Sequence, residues 1–311
     1  MRRGHCVIVG LDGFDPDVLA NLALFYAACG LTVTSSQTPQ DCDVLVVQRG
    51  TWQGQQFDVH ARECHIYDYT WTGTADLHQA FPNIRSIVVI SPSATASGKS
   101  TPPALIRSFH PVIPALWANP QVDTPRGYGF VHVGHRKPNS AGDAWLEQMD
   151  AVVREGSCDV WGNGWDGIAD ATTSHGPATL HQCQAVYRQA RCAFGIMYPF
   201  QRGRTISGRA WQAPLNGCVL YSEAIIPDVA LPGVERCDDF LGAPRQPATR
   251  HKPSDLAQEA TQFWENVSWR LAAQLGLYYE RPTAVMVRNV YAREVYLRHL
   301  NSRARQILRR A

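Results

Sequence analysis

The sequence is poor in lysine: of 29 basic residues only Lys99, Lys137 and Lys252 are lysines, so arginine carries nearly all the positive charge. The stretch 281–311 is poor in acid, with eight arginines against Glu294 alone. No apolar run approaches the ~20 residues that cross a bilayer. After a basic start, the strand-like run Cys6 to Gly10 is too short for a signal-peptide core. A cytoplasmic protein without a membrane span is therefore expected. Nine cysteines, an odd number, are scattered without a Cys-x-x-Cys pair. That argues against a disulfide framework and against clustered zinc ligands, and leaves small buried apolar residues. No metal and no cofactor is expected. A net charge of +2 points to no partner by itself. Its concentration at the C terminus suits an anionic surface such as nucleic acid or lipid, or simply a solvated helix face.

What is present is a chain able to bury a core. Apolar residues make up 45% and charged residues 18% of 311, which is room for about two domains. In the first half strand and helix signals alternate. Cys6–Gly10, Leu31–Thr34, Asp43–Val47 and Ile84–Ile90 read as strands. Asp17–Cys29 has helical spacing, with Gly30 as its C-terminal cap. Prolines 102, 103, 111, 114, 120 and 125 then mark an inter-domain passage. Beyond it the pattern restarts. Tyr128–Gly134, Cys158–Trp161, Cys192–Met197 and Gly217–Tyr221 read as strands; Ala141–Glu155, Thr179–Arg191 and Gly208–Asn216 read as helices. From Pro253 onward the signal is helical. Alternation of this kind predicts parallel sheets, with ligands at the carboxyl ends of the strands. The expected fold is α/β, with two facing Rossmann-like domains at 1–126 and 127–285. An arginine-rich helix at 286–311 is expected to cross back to the first domain.

Three motifs compete for the chemistry. Ser93 to Ser100, ending Gly98-Lys99-Ser100, follows a strand as a phosphate loop should. Serine replaces its first glycine, however, and Pro102 and Pro103 stand where the phosphate-capping helix would run. Val7-Ile-Val-Gly-Leu-Asp12-Gly-Phe-Asp15 resembles the opening of type I phosphodiesterases of the alkaline phosphatase superfamily. That chemistry needs a two-metal ligand set, and the nearest later candidate, Ser174-His175-Gly176, lacks the aspartate. The third motif spans the second half. Gly162-Asn-Gly-Trp165 is followed by a helix near Tyr187 and a strand at Ala193–Met197. Next comes Ser207-Gly208-Arg209-Ala-Trp-Gln212, then Gly217 leading into a strand and Glu223.

In this order and spacing, residues 128–275 resemble the CgeB-type, group 1 glycosyltransferases of GT-B fold. The resemblance implies a nucleotide-sugar donor in the second domain and an acceptor on the first. It implies that Arg136 and Lys137, after the second domain's first strand, face the donor diphosphate. Ser207, Gly208 and Arg209 would open a helix toward the same phosphates, where amides and a guanidinium stabilise leaving-group charge. Gly162 and Trp165 would lie near the base. Gln212 stands where the family has a glutamate that accepts from the ribose hydroxyls, and Glu223 completes the donor set. For a general base at the acceptor hydroxyl, Asp12 and Asp15 are the candidates, since they follow the first strand; His60 and His135 are weaker ones. The acceptor is open; a modified DNA base would suit the arginine-rich C terminus. Two alternatives stand beside this reading. One is an inactive nucleotide-sugar or nucleic-acid binding protein, kept open by Gln212. The other is a phosphotransferase dependent on Lys99.

Overall fold

The computed structural model describes residues 4–9, 16–48, 56–67, 77–92, 104–118, 127–136, 144–155, 158–170, 172–195, 207–223, 230–237, 239–243 and 252–295. The chain divides into two compact units. One comprises Met1–Leu116 with Glu265–Ala311, the other Trp117–Trp264.

The first unit is built on six parallel strands: β1 (His5–Val9), β2 (Thr32–Ser36), β3 (Cys42–Gln48), β4 (Ala61–Tyr67), β5 (Ser86–Ile90) and β6 (Ala104–Ile106). They lie in the order β2-β1-β3-β4-β5-β6. Three helices accompany them, α1 (Pro16–Ala28), α2 (Leu77–Ala80) and α3 (Pro114–Trp117), the last ending where the second unit begins. Helix α1 ends as expected at Gly30, whose φ of +82° lets the Leu31 amide return to Tyr26 O at 3.1 Å. The apolar runs of β1 and β3 are buried throughout, as strands covered on both faces must be.

Strand β4 was not foreseen. Its alternate residues Glu63, His65 and Tyr67 are polar, which breaks the apolar pattern. They are satisfied internally. His65 donates from Nε2 to Glu63 at 3.1 Å. Its Nδ1 accepts from the Tyr26 hydroxyl at 2.8 Å. The Tyr67 hydroxyl then donates to Tyr26 at 3.0 Å. Buried polar groups are tolerated once each has a partner.

The second unit carries β7 (Tyr128–Val133), β8 (Asp159–Trp161), β9 (Ala190–Gly195), β10 (Val219–Ser222) and β11 (Val234–Arg236), all parallel, in the order β11-β10-β9-β7-β8. Its helices are α4 (Ala144–Arg154), α5 (Leu180–Gln189) and α6 (Arg209–Leu215). Helix α5 begins with a reciprocal capping box between Thr179 and Gln182. The long α7 (Pro253–Gln274) belongs to the second unit as far as Trp264 and to the first from Glu265. Residues 284–295 form a last helix, α8, and Arg293 on it donates to Val33 O at 3.1 Å. Both sheets have the doubly wound order in which the second strand lies on one side of the first and the third on the other. Ligands of such sheets bind outside the carboxyl ends of the strands where the winding reverses. In the second unit that point lies between β7 and β9.

Candidate functional site

The carboxyl end of β7 runs into Gly134-His135-Arg136, and that of β8 into Gly162-Asn163-Gly164-Trp165. These two turns interlock. The Gly134 amide donates to Trp161 O at 2.7 Å and the Arg136 amide to Asn163 O at 2.8 Å. The Asn163 amide donates to His135 Nδ1 at 2.9 Å, and the Trp165 indole N–H to Gly134 O at 2.9 Å. The fit depends on glycine. Gly162 has φ +137° and a Cβ there would strike Gly134 O; Gly164 has φ +86° and its Cβ would strike Arg136 O. Both conformations disfavour other residues. Behind the turns, Gly162 donates to Gly176 O at 2.7 Å, while His175 stacks on Trp161 at 4.4 Å and donates to Asp159 at 2.8 Å.

Arg209 closes the β7 side. From the start of α6 its Nη1 donates to Val133 O at 2.9 Å, which lays the guanidinium over Gly134. A Cβ at Gly134 would collide with it. Beneath lies His132, fully enclosed, donating from Nδ1 to Phe194 O of β9 at 2.9 Å. Burial, with Arg209 adding to it, holds His132 neutral, its pKa pushed down to about 3. The reversal point between β7 and β9 is therefore spanned by a neutral imidazole and capped by a guanidinium. Arg136 is held differently. Its Nε and Nη2 grip both oxygens of Asp150 on α4, at 2.9 and 2.7 Å. The Asp150 side chain is only 7% exposed. Such a forked pair is strong and cancels the charge it holds.

The structure thus brings Gly134, Arg136, Gly162, Trp165 and Arg209 into one assembly. Gly208 and Ser207 adjoin it at the head of α6, and the Ser207 hydroxyl is buried without a partner among the described residues. Gln212 stands one turn along α6, its amide nitrogen 3.3 Å from where a Gly208 Cβ would be. Glu223 is buried at the carboxyl end of β10, two strands from β7. Trp165 is 1% exposed and sits in the apolar core with its N–H committed to Gly134 O, so it holds the turn and offers no open face. Lys137, Asp12 and Asp15 lie outside the described residues, as does the Ser93–Ser100 loop. His60 precedes β4, at the strand's amino end, 3.8 Å from Asp41. That is the wrong end of a parallel sheet for a base. His135 uses Nδ1 to accept the Asn163 amide, which makes it a link between the turns. Among the described residues no cluster of His, Cys, Asp or Glu could hold a metal ion.

Asp150 and His132 were missed by sequence reasoning. Asp150 had left a signal: it shares helical spacing with Leu146, Met149 and Val153, and a carboxylate on an apolar face calls for a buried cation. His132 had left none beyond being polar inside an apolar strand.

No protein-family model matches the chain, and no curated protein sequence does. Solved structures match over nearly its whole length. AviGT4, a glycosyltransferase involved in avilamycin A biosynthesis, superposes with a TM-score of 0.52 at 13% identity, covering 87% of this chain and 96% of that one. An alpha-glucosyltransferase, solved with UDP and a 13-mer DNA containing a HMU base, gives 0.50 at 8% identity, covering 94% and 95%. The fold is that of the GT-B glycosyltransferases. The narrower likeness to the CgeB type is not singled out by these matches. Among the described residues no helix is long and apolar enough to cross a membrane.

Proposed function

We propose that the protein transfers a sugar from a nucleoside-diphosphate sugar to an acceptor hydroxyl, with the donor held by the second unit at the β7–β9 reversal. The observation that carries this reading is the Arg209 guanidinium, seated over Gly134 beside the interlocked Gly134–Arg136 and Gly162–Trp165 turns. The diphosphate takes the edge formed by Gly134, Arg209 and Ser207, with Gly208 adjoining; Lys137, outside the described residues, is the further candidate cation. Gln212 accepts from the ribose, and Glu223 lies at the sugar end. Gly162 and Trp165 shape the base side through the turn they hold.

During transfer the bond between the anomeric carbon and the diphosphate oxygen breaks, and its electron pair goes to that oxygen. The new bond forms from the acceptor oxygen, whose proton passes to Asp12 or Asp15. Arg209 stabilises the charge gathering on the diphosphate. Fixed donors at developing charge are worth about 10²–10³ in rate. UDP is the first nucleotide to test, since the alpha-glucosyltransferase of like fold was solved with UDP. Duplex DNA bearing hydroxymethylated bases is the first acceptor. That same neighbour was solved with modified DNA, and residues 281–311 carry eight arginines against one acid. Cytoplasmic residence accords with both substrates.

The test is to incubate the protein with UDP-glucose and follow UDP release, with and without hydroxymethylated DNA. Release that the DNA accelerates, and that Arg209→Ala abolishes, supports the full reading. Release indifferent to DNA keeps the transferase and rejects this acceptor. No release from any nucleotide sugar, with or without acceptor, leaves the inactive binding protein that Gln212 suggests.

A further inference from the structure

Among the described residues five large apolar side chains are exposed, and four of them, Trp269, Tyr278, Val285 and Val295, fall in one short stretch of the first unit. Single exposed apolar residues are ordinary, but a tryptophan 58% exposed beside a tyrosine 79% exposed is not. The chain brings the two rings to one face. Helix α7 ends in a reversal at Gly276, φ +67°, where the Leu277 amide returns to Ala272 O at 2.8 Å. The segment after it doubles back along α7, since Arg281 Nε meets Glu265 Oε1 at 2.6 Å. Glu265 and Trp269 are four residues apart and share a helix face, so Trp269 borders the returning segment. On that segment Tyr279 turns inward, its ring 6.0 Å from Phe25, and the Glu280 amide donates to Ala28 O at 2.9 Å. Tyr278 is left facing out. The charges around the rings are unequal. Glu265 is taken by Arg281 and Glu294 by Arg293, which leaves Glu280 as the one carboxylate of 265–295 without a partner among the described residues. Arg270 and Arg288 are exposed and likewise unpaired among them. Residues 296–311 add five arginines and no acid.

We propose that this face of the first unit is a docking surface for single-stranded nucleic acid: bases stack on Trp269 and Tyr278, and an adjoining phosphate meets Arg270. Aromatic planes beside arginine are the chemistry that holds unpaired bases, because every base offers a π-face and every linkage a negative charge. The other arginines of the stretch supply the surrounding positive charge. A duplex, whose bases are already stacked on one another, offers this face only its phosphates. A membrane surface fits less well. A helix lying in a bilayer interface shows large apolar side chains along its outward face, whereas Trp269 on α7 is flanked by exposed Gln262, Asn266, Arg270, Ala273 and Gln274. Trp269 and Tyr278 belong to the first unit and the proposed donor site to the second, so the two readings stand or fall separately.

The test is fluorescence anisotropy of the full chain at low salt with labelled oligothymidylate and oligouridylate, each about 15 nucleotides long, and with a DNA duplex of the same length. The wild type should bind at least one single strand more tightly than the duplex, and the better of the two names the sugar that the surface takes. Trp269→Ala should weaken that strand about 10-fold and Tyr278→Ala about 5-fold, the loss expected when a base gives up its aromatic partner. Trp269→Phe keeps an aromatic plane and should stay within about 3-fold of wild type. Arg270→Ala should reduce the salt slope of binding by about 0.7, as the loss of one phosphate contact to a single strand does. Both rings are exposed, so these variants should melt with the wild type and release UDP from UDP-glucose at its rate. The proposal is overturned if the wild type binds neither strand or prefers the duplex, or if Trp269→Ala and Tyr278→Ala bind as tightly as the wild type. It is equally overturned if what the two alanine variants lose is binding to anionic phospholipid vesicles, or self-association in sedimentation, in place of strand binding. Strand binding, sensitive to Trp269, by a protein that turns over no nucleotide sugar keeps this surface and removes only the transferase reading.

Discussion

The two sheets share one winding order and put their buried polar groups to different use. In the first unit, Glu63, His65, Tyr26 and Tyr67 form a linear chain of hydrogen bonds along β4 and α1. In the second, the polar groups gather at the carboxyl ends of β7 and β8, where two turns, two arginines and a buried imidazole meet. A common scaffold thus supports an inward network that serves stability and an edge assembly that can serve a ligand. The contrast also explains why glycine is concentrated where it is. Gly134, Gly162 and Gly164 are needed because backbone and guanidinium occupy the space of their side chains.

The comparison can be broken at its strongest joint first. Trp165→Ala should cost about 3–5 kcal/mol in chemical unfolding, as large-to-small core changes do, and should take nucleotide binding with it. Stability lost with UDP affinity intact would separate the turn from the site. Gly164→Val combines φ +86° with a collision at the Arg136 carbonyl and should cost at least ~2 kcal/mol. Survival of the wild-type melting temperature would deny that the turns interlock. In the first unit, Tyr26→Phe strips His65 and Tyr67 of their shared partner. It should cost about 1–3 kcal/mol and leave UDP affinity unchanged; a loss of affinity would erase the distinction between the sheets.

Acid should act on both units. His110 in the first and His132 in the second are fully buried, and burial pushes the pKa of each down to about 3. Between that value and the ordinary 6.5 the unfolded chain binds protons that the folded chain refuses. Stability is therefore full above about pH 6.5 and falls as pH drops toward 3. The slope is about 1.4 kcal/mol per pH unit for each histidine, read from denaturant titrations at several pH values. A stability flat between pH 7 and 4 would mean the imidazoles are charged or solvated. Glu63 has the smallest effect. Its hydrogen bond from His65 lowers its pKa below 4.5. That contribution is present above about pH 4.5 and lost below its folded value, so Glu63→Gln should matter above about pH 4.5 and not in strong acid, and by less than about 1 kcal/mol.

Much of the fold was legible because β1, β3, β5, β7, β9 and β10 are apolar runs bounded by turn residues, and α1, α4 and α5 carry clear helical spacing. Strand β4 escaped because its polar face is satisfied by Tyr26, forty-one residues before Tyr67 in sequence. β6 and β11 span only three residues each. At the site, the Gly134–Arg136 turn, Gly162–Trp165 and Arg209 could be picked out, since glycines and cations after strands are local signals. What each does there was not legible. That Trp165 faces inward, that Arg136 is spent on Asp150, and that Arg209 rests on Val133 O are facts of tertiary packing.

The most direct measurement is calorimetric titration of the wild type and Arg209→Ala with a panel of nucleoside diphosphates, with ATP and Mg²⁺ as the control. The wild type should bind one diphosphate selectively, UDP foremost, and the substitution should weaken that binding at least ~10-fold. Equal binding by both proteins, or binding of ATP with Mg²⁺ alone, would contradict it.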